Sequence, residues 1–126
     1  MAGLGLGSES CVSVAKLFTD KALTKNGTLT SDAWRIRDFA INGNFSVGIK
    51  VEGSGKIDAS YLLSLDGTTY ITPSAGTSIV TNFTATSGTS GFDIISFSPE
   101  VASFMKIKIT EKNVATATIN GWLAIA

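Results

Sequence analysis

Apolar residues recur at every second position through much of the chain. In FSVGIKV (45–51), Phe45, Val47, Ile49 and Val51 share one side, while Ser46, Gly48 and Lys50 share the other. That two-residue period is the mark of a strand with one face in a core. FMKIKIT (104–110) repeats it, with Lys106 and Lys108 turned outward. Strands are also expected in CVSVAKLF (11–18), KIDASYLLSL (56–65), IVTNFTA (79–85), FDIISFS (92–98) and the closing ATATINGWLAIA (115–126). AWRIRDFAI (33–41) predicts another, with Trp34 and Ile36 on one face and Arg35 and Arg37 on the other.

The breaks between these runs are turn residues: Asn26-Gly27, NGN (42–44), EGSG (52–55), SAGTS (74–78), TSGTSG (86–91) and EKN (111–113). Asp66-Gly67 predicts a tight hairpin, from which TTYIT (68–72) returns until Pro73 stops the ladder. Helical start signals occur once, at Ser98-Pro99-Glu100, and suffice for about one turn. Nine or so short strands without a full helix indicate an antiparallel β-sandwich. Periodicity does not separate a jelly roll from an immunoglobulin-like topology. A jelly roll is favoured, because the last strand needs a distant partner. The expected organisation is a flexible arm over residues 1–10 and one sandwich domain over 11–126.

Composition narrows what this domain can do. Of 126 residues, 44% are hydrophobic and 16% charged, and the ten basic and ten acidic residues cancel. Such a surface has no field to attract nucleic acid or an anionic membrane. No run approaches the roughly 20 apolar residues of a membrane-spanning helix, and MAGLGLGSES does not read as a signal peptide. Histidine is absent, which removes the commonest general base and zinc ligand and makes a Ser-His-Asp triad impossible. The one cysteine, Cys11, reads as a small buried residue. The carboxylates are scattered, with no calcium-loop spacing, and GLGLG lacks the strand and lysine of a phosphate loop. No catalytic, metal or cofactor site is expected.

What remains are candidate contact residues. Leu4 and Leu6 stand on a glycine-rich segment that reads either as a frayed tail or as a docking arm. Arg35 and Arg37, two residues apart, form either an interface clamp or a solvated sheet face. Asp66, Gly67 and Tyr70 mark a tip that is a scaffold corner first and a contact site second. Trp34 and Trp122 are assigned to core or protein contact ahead of sugar stacking, and Tyr70 is the better sugar candidate.

The runs GKIDASYLLSLDGTTYITPSAGTSI and FDIISFSPEVASFMKIKIT, with the final INGWLAIA, resemble small β-rich virion proteins of tailed bacteriophages. The resemblance spans about residues 34–126 and lies in fold-defining motifs, not chemical ones. It implies a non-enzymatic virion part, foremost a capsid decoration protein. Its implied partners are the major capsid protein or other virion proteins, and its implied state is a homo-oligomer, foremost a trimer. Residues 1–10 would suit the capsid-gripping arm common in such proteins. The alternative is a carbohydrate-binding or host-adhesion module at a head-fibre base or tail.

Overall fold

The alternating runs become strands. A computed structural model of the chain describes residues 13–36, 43–74 and 78–126. Among the described residues there are nine strands: β1 (Ser13–Leu23), β2 (Thr28–Thr30), β3 (Trp34–Arg35), β4 (Phe45–Gly53), β5 (Ile57–Ser64), β6 (Ser78–Phe83), β7 (Phe92–Phe97), β8 (Phe104–Glu111) and β9 (Ala117–Ile125). They form two antiparallel sheets. Sheet one has the order β1-β9-β4-β7, and sheet two has the order β2-β8-β5-β6, with β3 also on β8.

This order is a jelly roll. The chain behaves as one long ribbon doubled back on itself: β1 pairs with β9, β2 and β3 with β8, β4 with β7, and β5 with β6. The ribbon then rolls up, so that β4 also meets β9 and β5 also meets β8. Both closing pairs are long, from Phe45↔Ile125 to Gly53↔Ala117 and from Ile57↔Glu111 to Ser64↔Phe104. Two Greek keys in two facing sheets are the defining feature of this architecture.

The inward parity builds the core as the alternation predicts. Phe45, Val47, Ile49 and Val51 from β4 are buried, as are Ile57, Ala59, Tyr61 and Leu63 from β5, Met105, Ile107 and Ile109 from β8, and Ile119, Leu123 and Ile125 from β9. Each large aliphatic side chain so buried contributes roughly 1.5–3 kcal/mol. Edge strand β1 bulges twice, between Lys16 and Phe18 and between Phe18 and Lys21. The bulge turns Phe18 into the core opposite Gly121, where an added Cβ would come within 3.0 Å of the ring. A reciprocal clamp fixes it: the Asp20 N–H donates to Asn120 Oδ1 at 3.0 Å, and Asn120 Nδ2 donates to Asp20 Oδ1 at 3.1 Å.

The far end of the sandwich is tied by one residue. Glu111, the last of β8, is fully buried. Its carboxylate accepts backbone N–H groups from Asn26 (2.6 Å), Lys56 (3.2 Å), Val114 (3.0 Å) and Ala115 (3.2 Å). One side chain thereby joins the β1–β2, β4–β5 and β8–β9 connections. Burial raises its pKa, but the four backbone donors outweigh that and bring it from 4.5 down to about 2.

Three sequence expectations change. TTYIT does not return as a strand; the backbone pairs only at Leu63↔Ile71, so the turn is a wider loop over 64–70. The helical turn at Ser98–Glu100 does not form, because the Glu100 carboxylate is engaged by Tyr61 across the sandwich and does not serve a helix start. The strand expected over 33–41 is confined to Trp34–Arg35 where it is described, and residues 37–42 lie outside the described residues.

Because the folded pKa of Glu111 lies below its ordinary value, its contribution is complete above about pH 4.5 and is lost as pH falls toward about 2. Thermal melts of Glu111→Gln against the parent should show a lower Tm at neutral pH. The gap should narrow through that acidic window. An equal gap at every pH would refute the clamp.

Candidate interaction surface

The loop after β5 is held by its own polar groups. Asp66 Oδ1 accepts the N–H groups of Thr68 (2.8 Å) and Thr69 (2.9 Å) and the Ser64 hydroxyl (3.0 Å). The Ser64 hydroxyl oxygen accepts the Gly67 N–H at 2.8 Å. The backbone donors of Thr69 and Thr68, then Ser64, hold the Asp66 carboxyl below its usual range. Gly67 has φ +81°, and an added Cβ would lie 3.0 Å from the Phe104 ring. Asp66 and Gly67 thus build a corner. Tyr70, expected at an exposed tip, is half-buried; Lys106 Nζ lies 4.3 Å from its ring centroid, and its buried hydroxyl has no hydrogen-bond partner among the described residues.

A second loop, 98–103, faces this corner. The Tyr61 hydroxyl donates to Glu100 Oε1 at 2.8 Å. The Tyr61 ring stacks on Phe97 at 5.5 Å, and Phe97 meets Phe45 at 5.7 Å. Burial, followed by the hydrogen bond to Glu100 and its negative charge, pushes Tyr61 up to about 12. With Glu100 held in this way, the next residue, Val101, is 100% exposed. Leu65 is 77% and Ile71 58% exposed across from it. Between them runs a cleft of about 410 Å³ lined by Leu63, Leu65, Ile71, Pro73, Val101 and Ala102, with Asp66 and Glu100 beside it.

The outer face of sheet one is also apolar. Trp122, expected in the core or at a contact, lies on this face between Lys16 on β1 and Gly48 on β4. Lys16 Nζ sits 4.2 Å from the indole centroid, Phe92 packs beside it at 5.5 Å, and a Cβ on Gly48 would be 3.4 Å from the ring. Glycine at 48 therefore lets the indole lie close to the sheet. Val14 (64%) and Ile94 (68%) extend the apolar surface along the same face. Trp34 is half-buried against the core, and its buried indole N–H has no hydrogen-bond partner among the described residues.

The remaining candidates separate. Arg35 is exposed on β3, whereas Arg37, Leu4, Leu6 and Cys11 lie outside the described residues. The described carboxylates serve the scaffold where they are bonded: Asp20 with Asn120, Asp58 with Lys112 at 2.9 Å, Asp66 in its loop, Asp93 on the Ile94 N–H, Glu100 on Tyr61 and Glu111 at the loop ends. Among the described residues no three His, Cys, Asp or Glu side chains gather as a metal site. No described helix is long and apolar enough to cross a membrane. A polar groove of about 510 Å³ on sheet two includes Asp58, Ser60, Lys108, Thr110 and Lys112.

Sequence reasoning missed Glu111 and Glu100. For Glu111 the signal was present: Met105, Ile107 and Ile109 set an inward parity that Glu111 continues. For Glu100 no local signal exists, because its partner Tyr61 is 39 residues away.

No family model matches the chain, and no curated protein does. Among solved structures, the chain is similar to one titled "Structure of infectious bursal disease virus Gx strain", at 14% identity and a TM-score of 0.49. The alignment covers 90% of this chain and 32% of that one, so this chain spans about a third of its length.

Glu100→Ala removes two of the three causes that raise Tyr61. Phenolate absorbance should show Tyr61 ionising near pH 12 in the parent and at a lower pH in the variant, still raised because burial, the largest cause, remains. Identical titrations would refute the buttress. Gly67→Ala should cost about 1–2 kcal/mol by denaturant midpoint, from its left-handed backbone and the Phe104 ring. A cost near zero would show that the corner is not strained.

Proposed function

We propose that this chain is a non-enzymatic virion structural protein, foremost a capsid decoration or stabilising protein that docks on the capsid surface. The observation that carries this reading is the apolar end of the sandwich. Leu65, Ile71 and Val101 stand exposed around one cleft, although the inward faces of the sheets are fully packed. Exposed apolar surface rimmed by acids suits a protein partner, with hydrophobic burial at the centre and a polar rim. The bonded carboxylates serve structural contacts, which fits a part that works by binding. The resemblance of residues 34–126 to phage virion proteins points the same way. We further propose self-association, foremost as a trimer, through the outer face of sheet one, where Val14, Phe92, Ile94 and Trp122 gather. A neutral chain does little to oppose such packing.

The test is co-sedimentation with particles of the virus that encodes the chain, stripped of this protein. Val101→Asp places a charge at a fully exposed position and should leave the fold intact. Particle binding should weaken by at least about tenfold, the equivalent of ~1.4 kcal/mol. Binding at parent affinity would overturn the docking reading. Binding to a glycan array through the polar groove of sheet two, blocked by Lys108→Glu, would favour the adhesion reading instead. Light scattering on Ile94→Asp should show a smaller assembly than the parent, and equal masses would remove sheet one as the self-association face.

A further inference from the structure

We propose that Asp93 guards the β7 edge of sheet one: it bars a second copy of the chain from adding its own β7 there. Without it, two four-stranded sheets join β7 to β7 as one continuous sheet. This goes beyond the self-association proposed above, which uses side chains on the outer face, because it concerns backbone pairing at the edge.

The sheet order leaves β7 at an edge, and an edge strand offers N–H and C=O groups that another strand can take. The other edges of the sandwich are broken or short. β1 bulges twice and carries Lys16, Asp20 and Lys21. β6 has two register shifts against β5, and Asn82 within it has φ +54°. β2 and β3 have three and two residues. β7 has none of these features. Its pairing with β4 runs without a shift from Phe45↔Phe97 to Lys50↔Phe92, and it holds no proline, glycine or lysine. Phe92 and Ile94 are exposed on it, and Asp93 is its one charge.

The ladder fixes which groups face outward. Asn44 and Ala126 exchange both backbone bonds, at 3.1 and 2.9 Å. Antiparallel pairs alternate, so two steps of two along β4 turn the Gly48 N–H and C=O toward Trp122 on β9. Ile94, opposite Gly48 on β7, therefore turns its own N–H and C=O to the free edge. By the same period Phe92 and Ser96 do so too. The Val51 N–H, which donates to the Gly91 C=O at 2.9 Å, agrees with this alternation.

Half of the edge is already occupied. The Phe92 N–H donates to the Thr89 C=O at 3.1 Å, and the Phe92 C=O accepts the Thr89 N–H at 2.8 Å. The Ile94 N–H donates to Asp93 Oδ1 at 2.8 Å. Among the described residues, the Ile94 C=O and both backbone groups of Ser96 have no partner.

These groups are self-complementary, which selects a second copy as the occupant. Two β7 strands placed antiparallel about Ile95 set Ile94 of each opposite Ser96 of the other, as a two-fold axis requires. Each such pair exchanges two bonds, one from the Ser96 N–H and one from the Ile94 N–H. Asp93 holds the Ile94 donors, so in the parent only the bonds from Ser96 can form. Removing the carboxylate completes both pairs and brings the exposed Ile94 side chains together on one face.

The experiment compares the parent with Asp93→Ala by light scattering at equal concentration. The variant should have at least twice the parent mass, and amide exchange at Ser96 should slow at least tenfold. Parent mass and parent exchange would overturn the proposal. Asp93→Asn keeps an oxygen that can accept the Ile94 N–H, so it should stay at the parent mass; a doubled mass there would overturn the block by hydrogen bonding. Ser96→Pro removes an outward donor without touching the β4 ladder. Added to Asp93→Ala, it should restore the parent mass with a Tm close to the parent's. A double variant that remains heavy would place the association elsewhere than the edge and refute the guard. Ile94→Asp, which tests packing through the face, is read separately from these outcomes.

Discussion

The Glu111 carboxylate is the constraint on which the closed end of this protein depends. A rolled ribbon needs its connections to turn sharply where strands cross between sheets, and sharp turns leave backbone donors unpaired. Four such donors, from Asn26, Lys56, Val114 and Ala115, converge on one buried anion. Charge-assisted bonds of this kind are about twice as strong as neutral ones. The anion in turn is tolerable in the core only because all four donors are present. Removing it would leave several buried N–H groups without acceptors in three connections together, whereas deleting a core methyl group is felt at one place.

The two ends of the sandwich solve the same closure problem differently. The Glu111 end is sealed by backbone–carboxylate bonds. The other end is held by an aromatic stack, Phe45–Phe97–Tyr61, topped by the bond from Tyr61 to Glu100. Rings fill volume but do not cover the loops that cross above them, so Leu65, Ile71 and Val101 remain in solvent. The functional proposals rest on this difference. An end with uncovered aliphatic groups gains by being covered.

Strands were legible wherever one face is buried, because burial imposes the two-residue period. β4 and β8 are the clearest cases, and Glu111 shows how far the rule reaches: it obeys the inward parity even though its chemistry argues against burial. Local turn chemistry was a poorer guide. Asp66-Gly67 carries the residues of a two-residue hairpin, yet Ser64 and Thr69 recruit the aspartate into a wider loop and the next pairing waits for Ile71. Ser98-Pro99-Glu100 carries the signals of a helix start, yet a tyrosine from another strand engages the glutamate. The neighbours of Trp122 suggested core or protein contact, and parity places it on the outer face above Gly48.

By itself, the sequence determined that this is an all-β domain, which residues face inward along most strands, that histidine is absent and that the net charge is zero. These follow from period, composition and charge, which are local or additive quantities. Tertiary structure alone decided the jelly-roll order, the joining of three connections by Glu111 and the cleft between Leu65, Ile71 and Val101. Each depends on residues far apart in the chain, such as Lys16 with Trp122 or Tyr61 with Glu100. Pairing at such separations is selected by the packing of the whole sandwich, and no local pattern encodes it.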